Sequence, residues 1–528
     1  MNNKLKRALS GGGVLALASL MAAPLSAASQ SGAQLLQERC TSCHTPTADG
    51  GLSRISEQRK TPEGWMTTLN RMQSQRGLRI SADERRAIIK YLADTQGLAP
   101  AETSGKRYLL EQTPNVLDDT PAEYAEMCAR CHSGARFALQ RRTEGEWERL
   151  VHFHMGQFPT LEFHALSRDR AWFELAVSDV VPQLATDFPL KSTAWDQWQQ
   201  ADKPAPAGGW TVAGYLPGKG EFSATLTLNA KGDDHYGLTL SGQYADGSPL
   251  TGQGSAVVYT GYELRASLTV AGVKMRQVLA LSADGSRMQG RMFPRGATEM
   301  GGELSAIKAG HSAILAISPA YIRQGESRTL TLTGNGLTGK VRLASGLKLD
   351  QVISRSATQL VLKVSAQSGA QPGLRRIQVG SSAMQVALYD QLVRVDVVPA
   401  DSIARVGGNG GKQAKVNATY RAVGYAAGKD GKAGTEDDLA LGYMPASWSL
   451  KPFDAVAEHD KDLDYAGTID ARGVFTPGDA GLNPERKMST NNVGQLAVVA
   501  TVKTVATEQQ GQARLLVTVQ DYIKSPLQ

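Results

Sequence analysis

The chain has 528 residues, of which 41% are hydrophobic and 20% are charged, proportions typical of a folded globular protein. A chain of this length exceeds what one hydrophobic core usually supports, so the sequence predicts three or four domains. The formal net charge is +7, but three of the positive charges lie in the first seven residues. Because no long basic run follows, the charge argues against a nucleic-acid-binding protein.

Residues 1–28 have the pattern of a secretory signal peptide. Basic residues precede an apolar run from Val14 to Ala23, and a stretch of small residues ends at Ala28. The run is too short to span a bilayer core of about 30 Å, and no later segment has about 18 consecutive apolar residues, so no membrane span is expected. We expect cleavage near Ala28, export, and a location in the periplasm of a Gram-negative cell.

Every cysteine of the chain belongs to one of two Cys-x-x-Cys-His motifs. The motifs consist of Cys40, Cys43 and His44, and of Cys128, Cys131 and His132. Disulfides are one alternative in an oxidising compartment, and a zinc site is another, but neither needs a histidine directly after each cysteine pair. Covalent haem c uses all three residues, because the two thiols attach the porphyrin and the imidazole is the proximal iron ligand. The sequence therefore predicts two covalent haems.

Helix signals flank both motifs. Thr120 is predicted to cap a helix that carries Cys128, because proline and then glutamate follow it at the expected positions. Ser81 has a glutamate three residues later and begins a second predicted helix, which Gly97 is expected to end. This second helix resembles the C-terminal helix of class I cytochromes c, which packs on the helix that carries the haem motif. The resemblance covers roughly residues 31–97.

An internal repeat indicates the sixth iron ligands. The segments TPEGWMTTLNRM (61–72) and TEGEWERLVHFH (143–154) align without a gap, each with a threonine first and a tryptophan fifth. The last position lies two helical turns beyond the tryptophan, on the same face, and it is Met72 in one copy and His154 in the other. Unequal ligands imply a higher reduction potential for the methionine-ligated haem. The alternatives are Met66 for the first haem, and His152, Met155 and His164 for the second.

Strand patterns replace helical ones after the predicted haem region. Segments such as FSATLTLNA and HYGLTLSGQY alternate apolar and polar residues between turn signals, which predicts antiparallel β-structure. The predicted fold class is an all-α di-haem cytochrome c domain followed by all-β domains. The expected boundaries are 29–200 for the cytochrome domain, 208–308 for a small β-barrel, 309–398 for an immunoglobulin-like domain of the E-set kind, and 399–528 for a second immunoglobulin-like β-sandwich with an insertion.

The predicted β region offers no catalytic residues. It has no recognisable pairing of a nucleophile with a base and no phosphate-binding loop, and all four cysteines are assigned to haem. The segment Gly428–Asp438 is acidic and glycine-rich, but it lacks the ligand positions and the closing glutamate of an EF-hand. We interpret this segment as a solvated loop.

The whole arrangement resembles the large α subunit of the quinohaemoprotein amine dehydrogenases, over essentially the full mature chain. The most diagnostic parts are the two haem motifs and the histidine-rich segment VHFHMGQFP. The resemblance implies an αβγ heterotrimer, in which a β-propeller β subunit accompanies a γ subunit whose cysteine tryptophylquinone oxidises primary amines. It also implies that the haems of the α subunit pass electrons to an external cupredoxin or small cytochrome c. Since no cysteine remains for that quinone, we expect the quinone only in a partner subunit.

Two other functions remain open at this point. A di-haem cytochrome c peroxidase-like enzyme would also carry two haems, but such enzymes are largely helical, whereas about 320 residues here have strand patterns. An exported haem-bearing scaffold or binding protein is the other alternative, although aromatic residues make up only 6% of the chain and form no evident carbohydrate-binding strip. Peroxide turnover and co-purification of small subunits would distinguish the three functions.

Overall fold

The structure is a computed structural model, and it describes residues 30–158, 161–162, 170–428, 430–487 and 491–520. The predicted signal peptide and the candidate ligand His164 lie outside the described residues. The described part of the chain is mostly β-structure. Within these ranges, no helix is both long enough and apolar enough to cross a membrane.

The N-terminal region consists of two helical units and a connecting segment. The first unit contains α1 (Gly32–Cys40), β1 (Gln58–Lys60), α2 (Pro62–Arg76) and α3 (Ala82–Thr95). The connecting segment contains α4 (Pro100–Thr103) and α5 (Arg107–Leu110). The second unit contains α6 (Ala122–Met127), α7 (Ala135–Ala138), β2 (Gln140–Arg142), α8 (Glu144–Gln157), α9 (Trp172–Leu175), a π-helical turn (Ala176–Val180) and α10 (Val181–Asp187). One more helix, α11 (Thr193–Gln200), precedes the β region.

Side-chain caps determine where the long helices begin. Thr61 and Thr143 each accept a hydrogen bond from the backbone N–H three residues later, at 3.2 and 3.3 Å. These two caps satisfy N–H groups that have no partner inside the helix, and they begin α2 and α8, the two helices that contain the aligned repeat. Ser81 and the glutamate three residues later form the predicted capping box of α3. This helix shares an apolar core with α1, which carries the first haem motif.

One helix prediction is wrong, and one helix was not predicted. The helix that carries Cys128 begins one residue later than predicted, with Pro121 as its N-cap. The hydroxyl of Thr120 donates to the carboxylate of Asp118 and does not serve as the acceptor for a helix N–H. The last helix of the region, α11, has no counterpart among the predicted helices. The hydroxyl of Ser192 caps it by accepting a hydrogen bond from the backbone N–H of Trp195 at 3.2 Å.

The predicted fold class, an all-α di-haem cytochrome c domain followed by all-β domains, is wrong. The N-terminal region contains a two-stranded antiparallel sheet, β1–β2, in which Arg59 lies opposite Arg141. Each strand directly precedes a threonine cap, where no helix can satisfy its backbone groups, and the two strands satisfy one another instead. The C-terminal β region also contains two short helices.

Residues 208–308 form a closed barrel of eight antiparallel strands. The strands are β3 (Gly208–Leu216), β4 (Gly220–Gly232), β5 (His235–Tyr244), β6 (Pro249–Tyr259), β7 (Glu263–Val270), β8 (Val273–Leu281), β9 (Arg287–Pro294) and β10 (Gly302–Lys308), with β10 paired to both β3 and β9. Alternate residues point inward, and Leu226, Leu264 and Leu279 are fully buried. Trp195 and Trp198 of α11 pack into the same core, so the helical region and the barrel share apolar surface.

The following stretch forms two four-stranded sheets around one core. Its strands are β11 (Ala313–Ser318), β12 (Tyr321–Arg323), β13 (Ser327–Asn335), β14 (Val341–Leu343), β15 (Leu347–Arg355), β16 (Gln359–Ala366), β17 (Gly373–Val379) and β18 (Ser382–Tyr389), ordered β11-β13-β16-β15 and β12-β18-β17-β14. Classification of this domain as immunoglobulin-like stays a prediction.

The last stretch contains three sheets and the two short helices. Its elements are β19 (Arg394–Val398), β20 (Asp401–Arg405), β21 (Ala418–Thr419), β22 (Arg421–Ala426), β23 (Leu439–Met444), β24 (Ser447–Pro452), α12 (Ala455–His459), α13 (Asp462–Tyr465), β25 (Gly467–Ile469), β26 (Val474–Pro477), β27 (Gly494–Lys503) and β28 (Glu508–Thr518). The sheets are ordered β19-β22-β23, β20-β28-β27-β24 and β21-β26-β25.

Buried polar contacts fix the barrel to the helical region. The carboxylate of Glu263 on β7 forms ion pairs with Arg107 of α5 and with Arg265 of its own strand. Arg265 also binds Glu63 of α2 at 2.6 Å. The hydroxyl of Tyr262 donates to the carbonyl of Leu98 at 3.1 Å. These contacts hold the barrel against the first helical unit and its connecting segment.

Candidate haem-binding site

A cavity of about 460 Å³ lies beside the second haem motif. Cys128, Cys131 and His132 line one part of its wall, and His154 and Trp172 line another. Helix α6 delivers Cys128, whereas α8 carries His154 because Thr143 sets the start of that helix. Much of the remaining wall is apolar. The cavity therefore brings the predicted attachment residues together with the predicted sixth ligand.

The imidazoles of His132 and His154 lie close together, with ring centroids 6.5 Å apart and ring planes inclined at 46°. An imidazole nitrogen binds a metal at about 2 Å, and each ring centroid lies about 1 Å behind its nitrogen. Two imidazoles on opposite sides of one metal ion therefore have centroids roughly 6 Å apart. The observed separation fits one iron atom between the two rings.

Backbone carbonyl groups fix the tautomer of each candidate histidine ligand. The Nδ1 atom of His132 lies 3.0 Å from the carbonyl oxygen of Ser133, and Nδ1 of His154 lies 2.7 Å from that of Leu150. A carbonyl oxygen only accepts hydrogen bonds, so Nδ1 carries the proton in both rings and Nε2 is left as the metal-binding atom. Nδ1 of His44 makes the same contact with a carbonyl oxygen, at 2.9 Å.

Burial lowers the pKa of both His132 and His154. The neutral imidazole is therefore favoured, which is the form that binds a metal. Burial also raises the pKa of the Cys128 thiol to about 11. These two imidazoles and the Cys128 thiol are thus uncharged before any group is attached to them.

The alternatives to His154 occupy different environments. His152 is exposed, and its Nε2 lies 3.7 Å from the carboxylate of Glu148. Met155 packs against the core of the second unit. Of the described alternatives, neither borders the cavity, whereas His154 does. The assignment of His154 as the sixth ligand stays a prediction that this geometry favours.

The first motif lies at the end of α1. Cys40 is buried in the core that α1 shares with α2 and α3, Cys43 is exposed, and His44 is half-buried. Met66 packs against this core, and Met72 is half-buried further along the same helix. The structure gives no contact between either methionine and His44, so Met72 as a ligand stays a prediction.

The two units hold their tryptophans in the same way. The indole N–H of Trp65 donates to the carbonyl of Gln96 at 3.0 Å, and that of Trp147 donates to the carbonyl of Phe188 at 3.4 Å. In each unit the same carbonyl also accepts the N–H of the last strand residue before the threonine cap, at 2.9 and 3.3 Å. The helix that faces the haem motif is therefore anchored identically in both units.

Sequence reasoning missed Trp172, which borders the cavity. Its ring centroid lies 6.3 Å from that of His154, and its indole N–H donates to the carbonyl of Met127 at 2.8 Å. This contact connects α9 to the residue just before the second motif. A tryptophan at the start of a short helix has no distinctive sequence pattern, so only the folded chain shows its position.

Backbone N–H groups of the acidic segment Gly428–Asp438 donate to two of its own carboxylates. The backbone N–H groups of Lys432 and Gly434 donate to Asp430 and Asp438, each at 2.9 Å. In the part of the chain that the structure describes, no group of three or more histidine, cysteine or acidic residues could hold a metal ion. The interpretation of this segment as a solvated loop stays a prediction.

The cavity meets three requirements of a c-type haem. Two cysteines and a histidine at the attachment spacing lie on its wall, a second imidazole lies near the first at a distance that fits one iron atom, and much of the remaining wall is apolar. The residues present therefore fit a haem, held by Cys128, Cys131 and His132 with His154 opposite.

Family models match consecutive stretches of almost the whole chain. "Quinohemoprotein amine dehydrogenase A, alpha subunit, haem binding" matches residues 30–195, and models of domains II, III and IV of the same alpha subunit match residues 204–309, 311–390 and 395–527. The fold and the cavity define a multidomain haem protein whose helical region binds the haem. All four models describe one subunit, and the chain belongs to the family of quinohaemoprotein amine dehydrogenase α subunits. It is thus a subunit of an amine dehydrogenase, an enzyme of several subunits.

Curated proteins and solved structures give no further information about the fold or function of this chain. No curated protein matches the chain. Among solved structures, a redesigned β-barrel, mFAP1 bound to DFHBI, is 18% identical and covers 19% of this chain and 93% of its own, with a TM-score of 0.17. Rv2717c from M. tuberculosis is 15% identical and covers 31% of this chain and 94% of its own, with a TM-score of 0.14. At these scores the likenesses support no statement about fold or function.

Proposed function

We propose that this chain is the di-haem electron-transfer subunit of its enzyme. In this role it accepts electrons from a cysteine tryptophylquinone in a partner subunit during oxidative deamination of primary amines, and it passes them to an external redox protein. The observation that carries the proposal is the cavity in which the ring centroids of His132 and His154 lie 6.5 Å apart beside a cysteine pair. When bound, the haems supply reversible one-electron redox chemistry.

The residues of the second site have separate roles in this proposal. Cys128 and Cys131 would attach the porphyrin, and His132 and His154 would bind its iron. With two protein ligands on the iron, this site would have no place for a substrate and would be suited to electron transfer. Trp172 contacts the ring of His154 and the chain before Cys128, so it holds these two parts of the site together.

The first site has the same organisation in the proposal, with Cys40 and Cys43 as attachment residues and with His44 and Met72 as axial ligands. The sulfur ligand raises the reduction potential of this haem relative to the second one. An electron would therefore move downhill from the second site to the first. This direction requires the quinone-bearing subunit to contact the second unit and the external acceptor to contact the first.

Family membership and the cysteine count support the proposed partners. The quinone needs a cysteine of its own, and the motifs use every cysteine of this chain. We therefore propose a small γ subunit with the quinone, a β-propeller β subunit, and a cupredoxin or small cytochrome c as acceptor. The signal-peptide pattern of the sequence supports a periplasmic location.

Mass spectrometry of the denatured native chain tests the proposal. Two covalent haems would add about 1.2 kDa to the mature chain and leave no cysteine free for alkylation. A preparation exported without the haem-attachment machinery is the matched control, since its four cysteines should all alkylate after chemical reduction, whereas thioether-bound cysteines should not. Free thiols or a disulfide between Cys40 and Cys43 in the native chain would contradict the proposal.

A further inference from the structure

Three cationic side chains border the cavity beside the second motif without an acidic partner. Lys60 of β1 is only 5% exposed, and its Nζ donates to the hydroxyl of Thr68 at 2.8 Å. The guanidinium of Arg71 on α2 lies over the ring of Phe153, 4.8 Å from its centroid. Arg136 of α7 is half-buried. Among the described residues, no carboxylate forms an ion pair with any of these three cations, here called the cation cluster.

The acidic residues that border the same cavity are already paired. The carboxylate of Glu63 binds Arg265 at 2.6 Å, and that of Glu126 binds Arg170 at 3.1 Å. The cation cluster therefore gives this wall an excess of positive charge. Burial lowers the pKa of Lys60 far below its usual range, and repulsion from neighbouring arginines lowers it further. Buried charges without a counter-charge cost several kcal/mol each, so the wall is suited to an anion.

The cluster also joins the two helical units. Lys60 and Arg71 belong to the first unit, whereas Arg136 belongs to the second, four residues after His132. All three border the cavity that contains Cys131 and His132. An anion bound by the cluster would thus be held by both units, next to the residues that attach the second haem.

A haem carries its negative charge on two propionate carboxylates at one edge of the ring. On the basis of the proposed function, we propose that Lys60, Arg71 and Arg136 bind the propionate carboxylates of the haem held by His132. Arginine and lysine form strong charge-assisted hydrogen bonds with carboxylates. The first unit therefore supplies part of the binding site for the haem of the second unit, and its charges set the potential of that haem.

The test is a spectroelectrochemical titration of the haem-loaded chain carrying Arg71→Gln. Loss of a positive charge beside a haem favours the ferric state, so the lower of the two midpoint potentials should fall while the other keeps its value. The vibrational bands of the propionates in the resonance Raman spectrum should shift as well. Arg85→Gln is the matched control, because Arg85 contacts Asn70 in the first unit and does not border the cavity. It should leave both potentials and the propionate bands unchanged.

Two further variants separate the loss of charge at Arg71 from a failure of Arg71→Gln to fold. Arg71→Lys should restore most of the potential, and Lys60→Gln should lower the same potential if Arg71→Gln does not fold. Unchanged potentials in both glutamine variants, or an equal fall of both potentials, would overturn the inference. A dependence of the wild-type potential on added inorganic phosphate would overturn it too, because the anion would then be a free one. Absence of haem from the wild-type chain would instead defeat the proposed function.

Discussion

At the scale of single residues, His154 is the ligand assignment with the most support. Its Nδ1–H donates a hydrogen bond to the carbonyl of Leu150, and its ring centroid lies 6.5 Å from that of His132. We predict that His154→Ala converts one of the two haems from a low-spin to a high-spin absorption spectrum and leaves the other unchanged. His152→Ala is the control and should alter neither haem, because His152 is exposed. A wild-type spectrum for His154→Ala would assign the ligand to another residue.

We expect different roles for the two methionines near the first motif, Met72 as an iron ligand and Met66 as a core residue. Met72→Ala should lower the potential of one haem, because a weaker or nitrogenous ligand would replace the thioether, and the potential of the bis-histidine haem should not change. Met66→Ala should reduce the free energy of unfolding by about 1–3 kcal/mol, because Met66 packs against the core around Cys40. Redox titration combined with chemical denaturation measures both effects. If the haem potential shifts in Met66→Ala and not in Met72→Ala, Met66 would be the ligand and Met72 would not.

Single residues of the site differ in how far the sequence identified them. The candidate attachment residues could be proposed from the sequence because their spacing is a local property of the chain. His154 could be proposed only through the repeat, which placed it on the same helix face as Trp147, and both assignments stay predictions. Trp172 and the cation cluster could not be predicted, since Lys60 and Arg71 reach the second site from the first unit. Such contacts depend on how the two units meet, which no local pattern encodes.

At the scale of elements, the pairing of β1 with β2 is the main feature that the sequence analysis missed. The aligned repeat was read from Thr61 and Thr143 onward, but the three residues before each threonine, Gln-Arg-Lys and Gln-Arg-Arg, also match. In the structure these triplets pair antiparallel, so that Arg59 lies opposite Arg141, its own counterpart in the repeat. The pairing therefore has local two-fold symmetry. Extending the alignment by three residues would have revealed both strands.

Glu102 of α4 binds both central arginines of this sheet. Its carboxylate accepts hydrogen bonds from Arg59 at 2.8 and 2.9 Å and from Arg141 at 3.1 Å. We predict that Glu102→Gln lowers the free energy of unfolding by about 3–5 kcal/mol, because two buried guanidinium groups lose their counter-charge. Chemical denaturation measures this, with the exposed Glu148→Gln as control. A loss below about 1 kcal/mol would show that water screens the pair.

At the scale of the whole molecule, Glu263 contributes to the junction between the helical region and the barrel. Two arginines hold the pKa of its buried carboxyl at about 2, below the usual 4.5. A depressed pKa stabilises the folded state above pH 4.5, and this stabilisation is lost as the pH falls from there towards 2. We predict that Glu263→Gln lowers the thermal midpoint at pH 7, and that its deficit relative to the wild type shrinks between pH 4.5 and 2. A deficit that does not change with pH would assign the effect to packing.

If the quinone lies in a partner subunit, the isolated chain and the complete complex should respond differently to a primary amine. The purified chain should not be reduced by a primary amine, because both irons are expected to be six-coordinate and no cysteine is available for a quinone. The complete complex should be reduced. The measurement is the reduced-haem absorption band after anaerobic addition of amine. Reduction of the isolated chain would contradict the electron-transfer role, and no reduction of the verified complex would contradict the proposed path.

The single carboxylate of Glu102 bears on whether the two helical units could exist as separate proteins. Two separate copies of one unit, related by a two-fold axis, would bring two identical arginines together and would need one acid from each copy. Here one acid on the connecting segment serves both arginines, and the repeat supplies no second one. A chain cut within that segment would leave at least one half with an uncompensated buried arginine. We therefore expect that neither helical unit is stable as a separate protein, and that the two units can be inherited only as parts of one chain.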